Sequence, residues 1–141
     1  MSRIYWDSML FIYILEGNPT FGPKTRAILN GMIKRGDSLC TSVFTVGEVL
    51  TGPRKAGSQS GVDAIKSFFA SGSVDLLPFT SETADRCSAI RAGMRVRQAD
   101  AIHLATASAA NVDLFFTNDG PLRKLPVPGI RFFADLDGKV F

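Results

Sequence analysis

Hydrophobic and polar positions along this chain come in alternating blocks, and Gly, Pro and Ser punctuation cuts the blocks into strand-like and helix-like pieces in turn. Ile4-Tyr5-Trp6 is a short β-prone run that ends at Asp7. Residues 8–15 are too continuously apolar for strand alternation and predict a buried helix, stopped by Gly17-Asn18-Pro19. Pro23 suits the first turn of a second helix running to Arg35, with Gly36 in the terminating position. Residues 39–44 read as the second strand, and Thr45 with Glu48 three residues on opens a helix that Gly52 and Pro53 close. A polar loop over 54–60 precedes a helix over 62–70, a strand over 74–79, and a helix from Ser81 in which Ala84, Cys87, Ile90 and Met94 keep helical spacing. A last helix of good formers spans 99–110 and stops at Asn111, a buried strand over 114–117 is aimed at Asn118 and Asp119, and 130–133 is the final strand. Strands joined by helical crossovers lie parallel in one sheet covered on both faces. The expected fold is therefore α/β: three layers, α/β/α, around a mainly parallel sheet of four to five strands.

Length and composition narrow this further. With 141 residues, one domain spanning 1–141 is the expectation, and 45% hydrophobic against 21% charged residues excludes disorder for the chain as a whole. The longest purely apolar run, 9–15, is far short of the roughly 18 residues that cross a bilayer. Asp7 precedes that run and Glu16 follows it, without the basic start or small-residue cleavage site of a secretory signal, so a cytoplasmic protein without a membrane partner is expected. Cys40 and Cys87 are too few and too far apart for a zinc site or a disulfide framework, and sit among apolar neighbours as buried thiols. A net charge of +3 tolerates a polyanion without demanding one.

The candidate chemistry is carried by acids. In a parallel α/β sheet the ligand site lies beyond the carboxyl ends of the strands. Asp7 ends the first strand and Asp119 follows the fourth; Glu48 lies in the first turn of the helix leaving the second, and Asp100 opens the helix that runs back toward the fourth. Each has a structural explanation by itself: Glu48 in a capping box with Thr45, Asp100 at a helix start, Asp7 and Asp119 as turn formers. Together they converge on one rim, where close carboxylates repel unless a proton or a cation relieves them. Oxygen donors suit hard ions, Mg²⁺ or Mn²⁺, and one or two such ions would promote attack of water on a phosphodiester. Ser8 and Thr117, each near an acid, are candidate supporting groups, or alternatively a helix cap and a strand-end hydrogen bond.

Asp7-Ser8 after a short strand, Thr45-Val46-Gly47-Glu48-Val49, the run from Ala99-Asp100-Ala101-Ile102-His103 to Ala107, and Thr117-Asn118-Asp119 together resemble the PIN domain, specifically the VapC-like toxin ribonucleases. The likeness covers almost the entire chain. It implies a metal-dependent endoribonuclease, often the toxin of a toxin–antitoxin pair with a small antitoxin protein as partner, and usually a homodimer. Carried over by position, the metal-binding catalytic acids are Asp7, Glu48, Asp100 and Asp119, with Thr117 and Ser8 in support. One position departs from the pattern: the family often has a small or polar residue after Asp-Ser, and here it is Met9.

Gly17, Gly22, Lys24 and Thr25 superficially resemble a phosphate-binding loop, but Pro23 separates the second Gly from the Lys and removes a backbone donor, which excludes nucleotide binding there. His103, the single histidine, lies one turn from Asp100 and reads as a hydrogen-bonded, partly buried side chain rather than a general base. Arg54, Lys55, Arg91, Arg95, Arg97, Arg123 and Lys124 are candidates for holding an RNA backbone, or are solvated helix ends. The 11 Phe residues read mostly as core. A catalytically silent module of the same fold, binding RNA or a partner, is the alternative; a receiver-like signalling domain fits less well, because the first strand ends in one acid and the third at Pro78-Phe79.

Overall fold

The computed structural model describes residues 1–138. Five short strands, β1 (Arg3–Trp6), β2 (Ser38–Ser42), β3 (Asp75–Leu77), β4 (Leu114–Phe116) and β5 (Phe132–Ala134), form one sheet in the order β3-β2-β1-β4-β5. Every pairing is parallel, with Tyr5 registered against Cys40 on one side and Phe115 on the other. The helices are α1 (Ser8–Leu15), α2 (Phe21–Arg35), α3 (Val43–Lys55), α4 (Gln59–Ala70), α5 (Ser81–Gly93) and α6 (Gln98–Ala109), with a 3₁₀ turn at Leu122–Lys124. None is long and apolar enough to cross a membrane.

Strand alternation sends neighbouring side chains to opposite faces. Ile4, Trp6 and Phe116 point into a core shared with Leu10 and Phe11 of α1, Met32 of α2, Val49 of α3, and Ile65 and Phe69 of α4. Tyr5 and Phe115 point the other way, into a core with Cys87 and Ile90 of α5 and Ala101, Leu104 and Ala105 of α6. Trp6, Tyr5, Phe11, Phe115 and Phe116 are all fully buried, each stabilising the fold by on the order of 2–3 kcal/mol. Both cysteines are free and buried.

Helix α2 is as expected: Asn18 accepts the backbone N–H groups of Thr20 and Phe21 at 3.0 and 2.8 Å, the helix starts at Phe21 with Pro23 in its first turn, and it ends at Arg35 before Gly36, whose φ of 73° is the left-handed geometry glycine favours. Several other boundaries move from their expected places, each for a local reason. The second strand stops at Ser42 because the Ser42 hydroxyl accepts the Phe44 N–H at 3.0 Å and caps α3. Thr45 forms no cap; its hydroxyl pairs with that of Thr41 at 2.7 Å in the interior. Helix α3 also runs through Gly52-Pro53 to Lys55, so Arg54 and Lys55 belong to a helix end rather than a loop. The last strand is shifted to Phe132–Ala134, and β3 and β4 are shorter than expected, with Phe79 left exposed.

Candidate active site

The strand order reverses direction at β1, with β2 and β3 to one side and β4 and β5 to the other, and crevices open at such switch points beyond the carboxyl ends of the strands. There the structure has a cleft of about 470 Å³ lined by Asp7, Glu48, Asp100 and Asp119, together with Ser8, Met9, Tyr13, Arg97, His103 and Asn118. Asp7 comes from the end of β1, where its N–H donates to the Phe116 carbonyl at 3.2 Å and its carboxylate caps α1 by accepting the Met9 N–H at 3.2 Å. Glu48 comes from α3, Asp100 from the first turn of α6, and Asp119 from the loop after β4. Thr117, fully buried between β4 and that loop, accepts the Asp119 N–H at 3.1 Å.

Each acid meets a different environment. Asp7 is 9% exposed, and burial pushes its carboxyl up from the ordinary range; the Thr117 hydroxyl, His103 and the N–H groups of Met9 and Leu10 pull the other way. Glu48 Oε1 lies 2.6 Å from His103 Nε2, and His103 Nδ1 lies 2.6 Å from the Tyr5 hydroxyl. That hydroxyl also accepts the Ser42 N–H at 3.2 Å, and burial holds its pKa well above the usual phenol value. With Tyr5 neutral, its hydroxyl can donate to Nδ1, and in that tautomer the Nε2–H of His103 is the donor to Glu48. Asp100 Oδ2 accepts Arg97 Nε at 3.0 Å, while Arg97 Nη2 stands 4.0 Å from Asp119 Oδ2. The Asp100 hydrogen bond foremost, then the fields of Asp100, Asp119 and Glu48, hold the Arg97 guanidinium charged.

The donor set fits a hard divalent cation. All four acids present oxygen to one cleft, both imidazole nitrogens of His103 are already engaged, and a guanidinium has been drawn to Asp100 and Asp119. Among the described residues no three acidic, His or Cys groups form a ready-made metal cage, and part of the mutual repulsion is relieved by Arg97.

The PIN domain family model matches residues 4–128. The chain belongs to the PIN domain family. No curated protein matches it in sequence. Among solved structures, this PIN domain resembles VapBC2 from Rickettsia felis bound to a promoter DNA fragment, with a TM-score of 0.74 at 15% identity over 94% of this chain and 98% of that one. It also resembles Mycobacterium tuberculosis VapC20, a Sarcin-Ricin loop cleaving toxin, with a TM-score of 0.73 at 13% identity over 91% and 98%. FitAcB from Neisseria gonorrhoeae gives 0.65 at 20% identity over 84% and 89%. At these identities the likeness is one of fold.

Of the basic residues singled out in the sequence, only Arg97 lines the cleft of this PIN domain. Arg54 and Lys55 occupy the last turn of α3, roughly 9 Å along the helix from Glu48. Arg91 donates to Gln98 at 2.6 Å across the connection between α5 and α6, which also carries exposed Arg95. Arg123 is committed to Asp135 at 2.8 Å, and Lys124 is exposed beside it on the 3₁₀ turn. Ser8 is buried in the first turn of α1 at the cleft wall, and Met9 is exposed at its mouth. Three polar groups at the site went unassigned in the sequence. Tyr5 reads as a core strand residue, although a phenol in a fully buried strand signals a polar partner for its hydroxyl. Asn118 and Tyr13 meet at 3.4 Å on the cleft wall, with no spacing pattern to join them.

Proposed function

We propose that this PIN domain is a divalent-metal-dependent endoribonuclease and the toxin of a VapBC-type toxin–antitoxin pair. The observation that supports this reading best is the convergence of Asp7, Glu48, Asp100 and Asp119 on one cleft at the carboxyl edge of the sheet. These four would hold Mg²⁺ or Mn²⁺, as one or two ions. The chemistry supplied when the ion is bound is polarisation of a phosphoryl oxygen and activation of water for attack on phosphorus. The rest is done by the chain. Asp7 is held in place by backbone N–H groups and by the Thr117 hydroxyl, so its carboxylate needs little reorganisation to act as a ligand. Thr117 also anchors Asp119 through its N–H, and buried Ser8 closes the wall beside Asp7. Arg97 would receive the RNA phosphate, while its present partners Asp100 and Asp119 would hold the metal.

The toxin assignment draws on the VapBC-type proteins among the structural neighbours, one of which is described as cleaving the sarcin–ricin loop. A small antitoxin protein as partner and a homodimeric state belong to the same reading. The test is direct. The purified chain should cut RNA with Mg²⁺ or Mn²⁺ and not in chelator, Asp7→Asn and Asp100→Asn should stop cleavage while folding normally, and induced expression should arrest growth for the native chain but not for Asp7→Asn. RNA cleavage by both variants in chelator would reject the mechanism.

A further inference from the structure

We propose that His103 is a positioning residue that aims Glu48 into the cleft, through a relay that begins at the backbone of the β2–α3 junction and passes through Tyr5. The inference rests on the reading of the cleft as a metal site. Glu48 has three rotatable side-chain bonds and sits partly exposed on α3, a setting in which a carboxylate ordinarily samples several positions. Here one oxygen is fixed at 2.6 Å from a His103 whose side chain is 4% exposed, while no hydrogen bond engages Oε2 among the described residues. The imidazole is itself held on every side. Its other nitrogen meets Tyr5 at 2.6 Å, and the Tyr5 and Phe44 rings stand edge-on to it at 5.8 and 5.7 Å between centroids. Tyr5 in turn is stacked on Phe115 at 4.9 Å and accepts the Ser42 N–H at 3.2 Å. Ser42 donates to Tyr5, and one consistent polarity runs on from there, with Tyr5 donating to Nδ1 and Nε2–H to Glu48; in this proposal the core contact with Tyr5 selects the tautomer that serves Glu48. Side chains from β1, α6 and α3 are thereby coupled, and a histidine filling the interior only for packing would need none of this polarity matching.

The test uses the full chain and titrates Mn²⁺ calorimetrically, with thermal unfolding and nuclear magnetic resonance alongside. Hydrogen-bonding partners of metal-ligating carboxylates are typically worth 10–100-fold in affinity, so His103→Phe should weaken Mn²⁺ binding by about 10-fold or more. His103→Gln, which keeps an N–H donor at that reach, should recover most of the loss. Tyr5→Phe should weaken binding by a smaller factor, and it should convert the imidazole nitrogen spectrum from the single Nε2–H tautomer to a mixture; the chain has one histidine, so the signal needs no assignment. In a Glu48→Gln background, His103→Phe should add almost nothing, because the two act through one contact. Wild-type Mn²⁺ affinity in a folded His103→Phe variant, with Glu48→Gln impaired, would overturn the relay and leave the metal site standing. Should His103→Phe not fold, wild-type affinity in Tyr5→Phe with a mixed tautomer would overturn it equally. No Mn²⁺ binding by the native chain would remove both the relay's purpose and the proposed function.

Discussion

Asp7 ends β1 and caps α1 with the same carboxylate, in a position where water scarcely reaches it. Burial raises its pKa above the ordinary 3.8, so the folded state holds the proton more tightly than the unfolded chain does. Its contribution to stability is fully present below pH 3.8 and is lost as pH rises through the folded value; above that the ionised group is a fixed burden that a metal would lift. Asp7→Asn keeps a good cap and abolishes the charge. In chelator at pH 7 this variant should melt above the native chain, with the gap closing as pH falls toward 3.8. Mn²⁺ should raise the melting temperature of the native chain and not of Asp7→Asn, and the variant's cleavage rate should fall by more than about 100-fold, beyond what losing an outer partner costs. A melting temperature for Asp7→Asn at or below the native one at pH 7 would mean that Thr117 and the α1 N–H groups fully compensate the burial. Arg97 poses the opposite case, an exposed cation already lying on Asp100 and near Asp119. Exposed ion pairs are weak, so Arg97→Ala should tighten Mn²⁺ binding by no more than about fivefold while weakening RNA binding, measured by calorimetry and by filter retention. Looser Mn²⁺ binding in that variant would show that Arg97 helps to form the site instead of competing for it.

Helix α5 offers a control that separates stability from the cleft. The Thr80 hydroxyl accepts the Thr83 N–H at 3.2 Å and the Thr83 hydroxyl accepts the Thr80 N–H at 3.3 Å, a reciprocal cap. Thr80→Ala should lower the unfolding free energy by about 1 kcal/mol in urea and leave Mn²⁺ affinity unchanged. A change in Mn²⁺ affinity would mean that α5 is coupled to the site through α6. The order of the elements was legible in the sequence because apolar blocks and Gly or Pro breaks mark them, and the rim position of the four acids followed from strand ends and helix directions alone. Boundaries were less legible where two residues compete for one task. Thr45 with Glu48 has the spacing of a capping box, yet Ser42 caps α3, which frees Glu48 for His103. The pair of helices α5 and α6 folds back as a hairpin, joined by Arg86 to Ser108 and Arg91 to Gln98, which brings Arg95 and Arg97 toward the start of α6. What no spacing encodes is the contact of Tyr5 with His103, 98 residues apart, because it exists only once β1 and α6 have packed.

The chain carries a net charge of +3, too small to explain affinity for the proposed RNA substrate unless the basic groups are gathered where that substrate would lie. Their placement is uneven. Arg97 is in the cleft and Arg95 is exposed two residues before it, whereas Lys55 is in the last turn of α3, beyond Glu48. A phosphate contact releases bound counterions, and for single strands each one contributes about 0.7 to the slope of log affinity against log salt. In the cleavage-deficient Asp7→Asn background, where binding is measured without loss of substrate, Arg95→Ala should reduce that slope by about 0.7 and weaken binding at low salt. Lys55→Ala should leave both the slope and the affinity as they were. Equal losses from the two substitutions would place the RNA across the face carrying the end of α3, with the acidic cleft at its margin. A loss from Lys55→Ala alone would move the RNA off the cleft and remove the reason for reading Asp7, Glu48, Asp100 and Asp119 as the groups that cut it.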